Sequence, residues 1–214
     1  MNIGHLIPVT GLDDAERKRW MEALLIIGKG RISSQLLEIE EGPEFIESVE
    51  DEEKAVGHLV ELAIKYEDEF DVYIIECFGD IGITELRNNV KIPIIGPCRA
   101  AYTTAAAVFP HFSLLALNPE LVGFGRTIGE ILGLQMRLKE IAVVDLPVKG
   151  IIDNPDHALA IMEEKAGSIE DVAIIPGCMS MAMLLYERNI RRFGSCIVVN
   201  PLNCAMEAAA AIGL

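Results

Sequence analysis

Two stretches decide the fold. Asp71-Val72-Tyr73-Ile74-Ile75-Glu76 runs into Cys77-Phe78-Gly79-Asp80, and Asp171-Val172-Ala173-Ile174-Ile175-Pro176 runs into Gly177-Cys178-Met179-Ser180. Each opens on Asp-Val, continues as a short β-branched run and ends at a cysteine. A run that is apolar at nearly every position is a strand buried on both faces, which is the strand type of parallel sheets. A helical stretch follows each cysteine within a few residues, so both cysteines fall at a strand-to-helix turn.

Working outward, further strands are predicted at Asn2 to Ile7, Gln35 to Ile39, Ile92 to Ile95, Phe112 to Leu117, Ile141 to Val144 and Cys196 to Val199. They are short and bounded by Gly, Pro, Asn or Asp. Helices are predicted over Asp13 to Leu25, Asp51 to Tyr66, Pro155 to Ala166, Met181 to Arg192 and Ala205 to Ile212. In the second, Ala55, Val56, Leu59, Leu62 and Ala63 recur at helical spacing. Pro155 suits a first helical position, with Asn154 as its cap. Alternating strands and helices imply an α/β fold with mainly parallel sheets covered by helices. Strand spacing repeats between the halves, so the chain reads as two similar lobes.

The 214 residues suffice for one large domain or two small lobes. Hydrophobic residues make up 51% and aromatics only 6%, which favours an aliphatic α/β interior over a sandwich. A formal charge of −15 leaves no basic footprint for nucleic acid and disfavours acidic membranes. No apolar run approaches the roughly 20 residues of a membrane span. The start, Met1-Asn2-Ile3-Gly4-His5, lacks a signal-peptide pattern, so a cytoplasmic protein is expected.

The chemistry centres on Cys77 and Cys178. Ligands of open α/β sheets bind at the carboxyl ends of strands, where both cysteines fall. Inverting a stereogenic carbon next to a carbonyl means removing a proton from one face and returning one to the other. That takes two groups, one an acid while the other is a base. A thiol of unperturbed pKa about 8.5, lowered by a helix N-terminus, suits both roles without metal or cofactor. A single cysteine would read as core packing; two at matching strand ends favour function. Cys98, Cys196 and Cys204 read as packing residues. His5, His58, His111 and His157 show no ligand spacing, so no metal site is expected, and His5 reads as a buried, hydrogen-bonded residue. Gly123-Phe124-Gly125 lacks the full dinucleotide fingerprint and reads as a loop or helix start. The acidic stretch Glu38 to Glu53 reads as a solvated face. Asn200 or Asn203 reads as a cleft-edge residue or a helix cap.

Glu76-Cys77-Phe78-Gly79-Asp80-Ile81-Gly82, Pro93-Ile94-Ile95-Gly96 and Ala100-Ala101 resemble the first half-site of hydantoin racemases, within the Asp/Glu/hydantoin racemase superfamily. Gly42-Pro43, Ile46-Glu47-Ser48, Asp51-Glu52 and Asp145-Leu146-Pro147-Val148 fit the same branch. Gly177-Cys178 with Met181-Ala182 resembles the second half-site. The resemblance covers most of the chain. It implies two pseudo-symmetric Rossmann-like lobes with mainly parallel four-stranded sheets and an active site between them. The lobes would comprise residues 1–98 plus 203–214, and 99–202, because the family's last helix crosses back. It further implies a cofactor-independent isomerase with Cys77 and Cys178 as the catalytic pair, acting on a small amino-acid-like or hydantoin-like molecule, and a homo-oligomer. Substrate contacts would come from Pro8, Thr10, Phe78, Gly79, Asp80, Arg99, Asn118, Met179 and Ser180, with Asp80 tuning or orienting Cys77.

The departures bear on substrate. Ile7-Pro8-Val9-Thr10 stands where the family has Asn-Pro-Asn-Thr. Ala116 and Leu117 stand where two threonines are usual, Arg99 where Glu is common, and Met179-Ser180 where a small residue and Gly are usual. Arg99 reads either as a carboxylate clamp or as a surface residue at a helix start. Two rival functions therefore stay open: a cis–trans isomerase or decarboxylase on this scaffold, and a catalytically silent ligand-binding protein.

Overall fold

A computed structural model describes residues 1–212 and divides the chain into two compact units. One comprises Met1–Pro97 and the described part of Ala205–Leu214, the other Cys98–Cys204. Residues 213 and 214, assigned above to the first lobe, lie outside the described residues.

The first unit is built on β1 (Asn2–Ile7), β2 (Ser33–Glu38), β3 (Val72–Ile75) and β4 (Ile94–Ile95). They pair in parallel in the order β2-β1-β3-β4. Pleat alternation sends Leu6, Tyr73 and Ile75 to one face. There they join Leu37, the Ala55, Leu59 and Ala63 stripe of α2 (Val49–Lys65), and Ile83 and Leu86 of α3 (Ile83–Asn89) in one core cluster. The other face carries His5 and Ile74. α1 (Asp14–Gly28) packs on β2 and buries Trp20, Ala23, Leu24 and Ile27. Both long helices start on reciprocal side-chain caps: Asp13 with Glu16, and Ser48 with Asp51. Each satisfies backbone N–H groups that the first turn leaves without helical partners.

The second unit is built on β5 (Phe112–Ala116), β6 (Leu138–Val143), β7 (Ala173–Gly177), β8 (Arg192–Phe193) and β9 (Cys196–Val198). Their order is β6-β5-β7-β9-β8. All pairs are parallel except β8 with β9, a hairpin closed through Gly194 at φ 55°. Among the described residues the first sheet thus has four strands and the second five. The extra one is a two-residue edge strand, too short to show a pattern in sequence. The connecting helices are α4 (Pro97–Val108), α5 (Val122–Ile131), α6 (Val148–Asp153), α7 (Pro155–Gly167) and α8 (Met179–Glu187). The Gly123-to-Gly129 stretch is helix α5, and Gly125 lets it rest on Leu114 of β5. Asn154 does precede α7, but its side chain makes no capping bond; Pro155 at the first position fixes that start. α9 (Pro201–Ile212) begins in the second unit and ends in the first, where Met206 reaches Gly28 of α1. No helix among the described residues is long and apolar enough to cross a membrane.

Candidate active site

In the first unit the candidate residues gather at the carboxyl end of the sheet. Leu6 and Ile75 are register partners, so the turns after β1 and β3 emerge side by side. The first brings Pro8, the second Cys77 to Asp80. Pro8 is buried and Thr10 exposed. The Thr10 backbone N–H and hydroxyl both donate to the Pro43 carbonyl, at 3.0 and 3.4 Å. Thr10 therefore ties its turn to the acidic loop.

Cys77 is half-buried; Phe78 beside it is buried. The Asp80 N–H donates to the Cys77 carbonyl at 3.1 Å, and the Ile83 N–H to the Asp80 carbonyl at 3.2 Å. Two tight turns thus carry the chain from the thiol into α3. Asp80 holds a left-handed φ of 51° and is only 3% exposed. Its carboxyl group lies directly over the Gly96 backbone, where any Cβ would collide with it. A non-glycine residue at positive φ is uncommon and costs free energy. Here packing against the β4–α4 junction holds it. The resemblance implies that Asp80 tunes or orients Cys77; the structure ties its backbone N–H to the Cys77 carbonyl.

The residue before the thiol was read only as a strand end. Glu76 follows the alternation of Val72 and Ile74, onto the face opposite the α2 core. Its Oε1 accepts a hydrogen bond from His5 Nδ1 at 2.6 Å, and His5 Nε2 lies 3.0 Å from Ser34 Oγ. The two side chains are 0% and 1% exposed, and Glu76 Oε2 is buried with no hydrogen-bond partner. The reading of His5 as a buried, hydrogen-bonded residue holds. The sequence signal for Glu76 was a carboxylate at an inward strand position, which needs a partner in the core.

In the second unit, Ala116 and Gly177 are register partners, so Asn118 and Cys178 leave neighbouring strand ends. A Cβ at Gly177 would lie 2.6 Å from the Leu115 carbonyl oxygen. Only glycine lets β7 run this close to β5. Cys178 is the N-cap of α8, with extended backbone, and its carbonyl accepts the Ala182 N–H at 2.9 Å. Its side chain makes no capping bond. The first-turn N–H groups follow directly, on Met179, which is buried, and Ser180, which is half-buried. Asn118 Oδ1 accepts the Leu121 N–H at 3.1 Å and orders the turn after β5. Arg99 is half-buried in the first turn of α4, where its carbonyl accepts the Thr103 hydroxyl at 2.7 Å. Asn200 caps α9, accepting from the Leu202 N–H at 3.0 Å and donating to the Ala182 carbonyl at 2.8 Å.

The other cysteines differ from these two. Cys98 is fully buried. Cys196 donates its thiol hydrogen to the Asp171 carbonyl at 3.1 Å. Burial pushes the Cys204 thiol up to about 11, against an opposing hydrogen bond with Thr104. On α2, burial pushes the Glu52 carboxyl up to about 7. No cluster of three metal-type side chains occurs among the described residues.

Two α/β units, each with a half-exposed cysteine at the carboxyl end of a central parallel strand, define a class of thiol-bearing α/β proteins. The chain belongs to the Asp/Glu/Hydantoin racemase family, which matches residues 27–209. It is 31% identical over 147 residues to the hydantoin racemase of Rhizobium meliloti, covering 66% of this chain and 61% of that protein. The match therefore spans less than two thirds of the relative's length. Among solved structures, the allantoin racemase from Klebsiella pneumoniae has the same fold, with a TM-score of 0.82 and 24% identity over 100% of this chain and 89% of that one. The maleate isomerase Iso from Pseudomonas putida S16 also shares it, with a TM-score of 0.67 and 13% identity over 100% and 93%.

Proposed function

We propose that the protein is a cofactor-independent racemase or epimerase in which Cys77 and Cys178 exchange protons with a carbon next to a carbonyl. The observation that carries this reading is the duplication of the thiol position: each cysteine follows the central strand of its sheet, beside the turn of a neighbouring strand. One thiolate removes the proton from one face of the carbon, and the other thiol delivers a proton to the opposite face. The carbonyl oxygen gains negative charge as the proton leaves. Backbone N–H groups in the first turn of α8 are suited to stabilise it. Substrate contacts fall to Phe78, Gly79, Met179 and Ser180 beside the thiols, with Pro8, Thr10, Asp80, Arg99 and Asn118 shaping the surrounding turns. The substrate is a small amino-acid-like or hydantoin-like molecule, the compartment the cytoplasm and the assembly a homo-oligomer.

The test is proton NMR in D₂O with single enantiomers of 5-substituted hydantoins, allantoin, aspartate and glutamate. Wild type incorporates deuterium with inversion. Cys77→Ala and Cys178→Ala each lose inversion by on the order of 10²-fold or more. Retained inversion in either variant ends the two-base reading. A second reading has its own support, since an enzyme of this fold is a maleate isomerase. Conversion of maleate to fumarate, with Cys178→Ala still active, would select it. Ligand affinity that survives both substitutions without turnover would select the binding-protein reading.

A further inference from the structure

Resting on the homo-oligomer stated above, we propose that two copies of this chain pair through β2. The two strands run antiparallel about a two-fold axis at Leu36, so that both four-stranded sheets join into one.

β2 is an open edge. Among the described residues it pairs with β1 alone, in unbroken parallel register from Ser33 to Glu38. The Ser33 and Ile39 N–H groups donate to the Met1 and Ile7 carbonyls at 2.9 and 3.2 Å. Backbone groups alternate in direction along a strand. Ser34, Leu36 and Glu38 therefore turn their N–H and C=O groups outward. Such an edge is a template for another strand. The remaining sheet edges are guarded. β4 and β8 have two residues each. β6 carries exposed Lys139 and Glu140, and its register against β5 is broken between Phe112 and Leu114. β2 has six residues, with no proline, lysine or irregularity. Its one charge, Glu38, is paired with Arg17 at 2.8 Å.

Charge and geometry name the occupant. The chain carries −15, so two copies repel over most of their surface. From Asp14 to Glu38, five basic residues stand against four acidic ones, and repulsion is least where α1 covers β2. A strand that meets its own copy about a two-fold axis is antiparallel to it. With the axis at Leu36, that residue and its copy exchange both backbone bonds, and Ser34 does so with the copy's Glu38. All three outward residues are then satisfied, and no like charges lie directly opposite. The axis stands perpendicular to the sheet, so α1 and its copy share one face. Met206 of α9 lies 3.9 Å from the Cβ position of Gly28 in α1. Ile26, two positions earlier, is turned by about 200° around the helix, onto the flank away from α9. β2 is the outermost strand, so that flank is the outer one. Ile26 is 67% exposed there, and the copy covers it.

The experiment is sedimentation velocity of the full chain across a dilution series, with residue-resolved hydrogen exchange read by mass spectrometry. Wild type is expected as a dimer or an even multiple of it, with the Ser34, Leu36 and Glu38 amides protected. Leu36→Pro removes an outward N–H from an edge strand, where proline is tolerated. It should weaken association by roughly 30-fold or more. If it does not fold by circular dichroism, Ile26→Lys is the second arm. It leaves β2 intact, sets a cation against its own copy and should free the same three amides. Met136→Lys, at a side chain 87% exposed on the second unit, should leave the assembly unchanged. A monomer at every concentration overturns the homo-oligomer and this proposal together. Three outcomes overturn this proposal alone: an oligomer that survives whichever variant folds, one whose three amides exchange unprotected, and one dissociated only by Met136→Lys. Deuterium exchange into substrate, measured on the same samples, reports the racemase reading separately.

Discussion

At the residue scale, two glycines and one carboxyl group bear testable consequences. Gly96 lies beneath the Asp80 carboxyl group with no room for a methyl group. Gly96→Ala should therefore displace the Cys77 turn and cost about 1–3 kcal/mol, read from urea midpoints. Gly57 is the internal control: it lies inside α2, is exposed, and a Cβ there meets nothing within 4 Å. Gly57→Ala should stabilise by about 0.5–1 kcal/mol through helix propensity alone. Glu52 makes a pH prediction. Burial pushes its folded-state carboxyl up to about 7, from an ordinary value of 4.5. The folded protein therefore binds more protons than the unfolded chain between those values, and stability falls as pH rises through that window. Glu52→Gln should flatten the pH dependence of the melting temperature between about pH 4.5 and 7. An unchanged slope would assign it to other groups.

At the element scale, the reach of the sequence follows from what patterns report. The eight predicted strands all exist, because buried β-branched runs between turn residues have few other solutions. Their ends shift by at most three residues, as boundaries set by local caps do. Helices α3, α4, α5 and α6 were given no bounds, although a helix after Cys77 and helix starts at Arg99 and, as one alternative, at Gly123 were expected. α3 and α6 are under two turns long, α4 is rich in Ala and Thr, which blurs its apolar stripe, and Gly123, Gly125 and Gly129 argue against a helix in α5. The two cysteines and their strand-end positions were legible, since period and motif coincide there. The His5–Glu76 pair was legible only in half: two residues 71 positions apart become neighbours solely through the parallel register of β1 and β3. Capping offers the element-scale test. Ser48 accepts from the Asp51 N–H at 3.2 Å, while Asp51 Oδ2 accepts from the Ser48 N–H at 3.1 Å and the hydroxyl at 2.7 Å. Ser48→Ala should cost about 1 kcal/mol in chemical denaturation, whereas Ser48→Thr, which keeps the hydroxyl, should retain most of the stability.

At the scale of the whole molecule, the chain path matters more than either sheet. The first unit is completed by the last helix, after the whole second unit has intervened in sequence. Ala205, Met206 and Ala209 are at most 1% exposed, Met206 lies 3.9 Å from the Cβ position of Gly28, and Lys29 pairs with Glu207 at 3.3 Å. The surface pair, more than half exposed at both ends, adds little. Buried apolar contact supplies the stabilisation. Truncation after Cys204 should therefore destabilise more than the loss of one exposed helix would, because it uncovers α1. Met206→Ala isolates the contact and should cost about 2–5 kcal/mol, whereas Lys29→Met should stay within about 0.5 kcal/mol. Hydrogen exchange read by mass spectrometry locates the effect. Met206→Ala should weaken protection in α1 and β2 before it does so in β5 and β7. Equal loss across both sheets would mean that the two units unfold as one cooperative body.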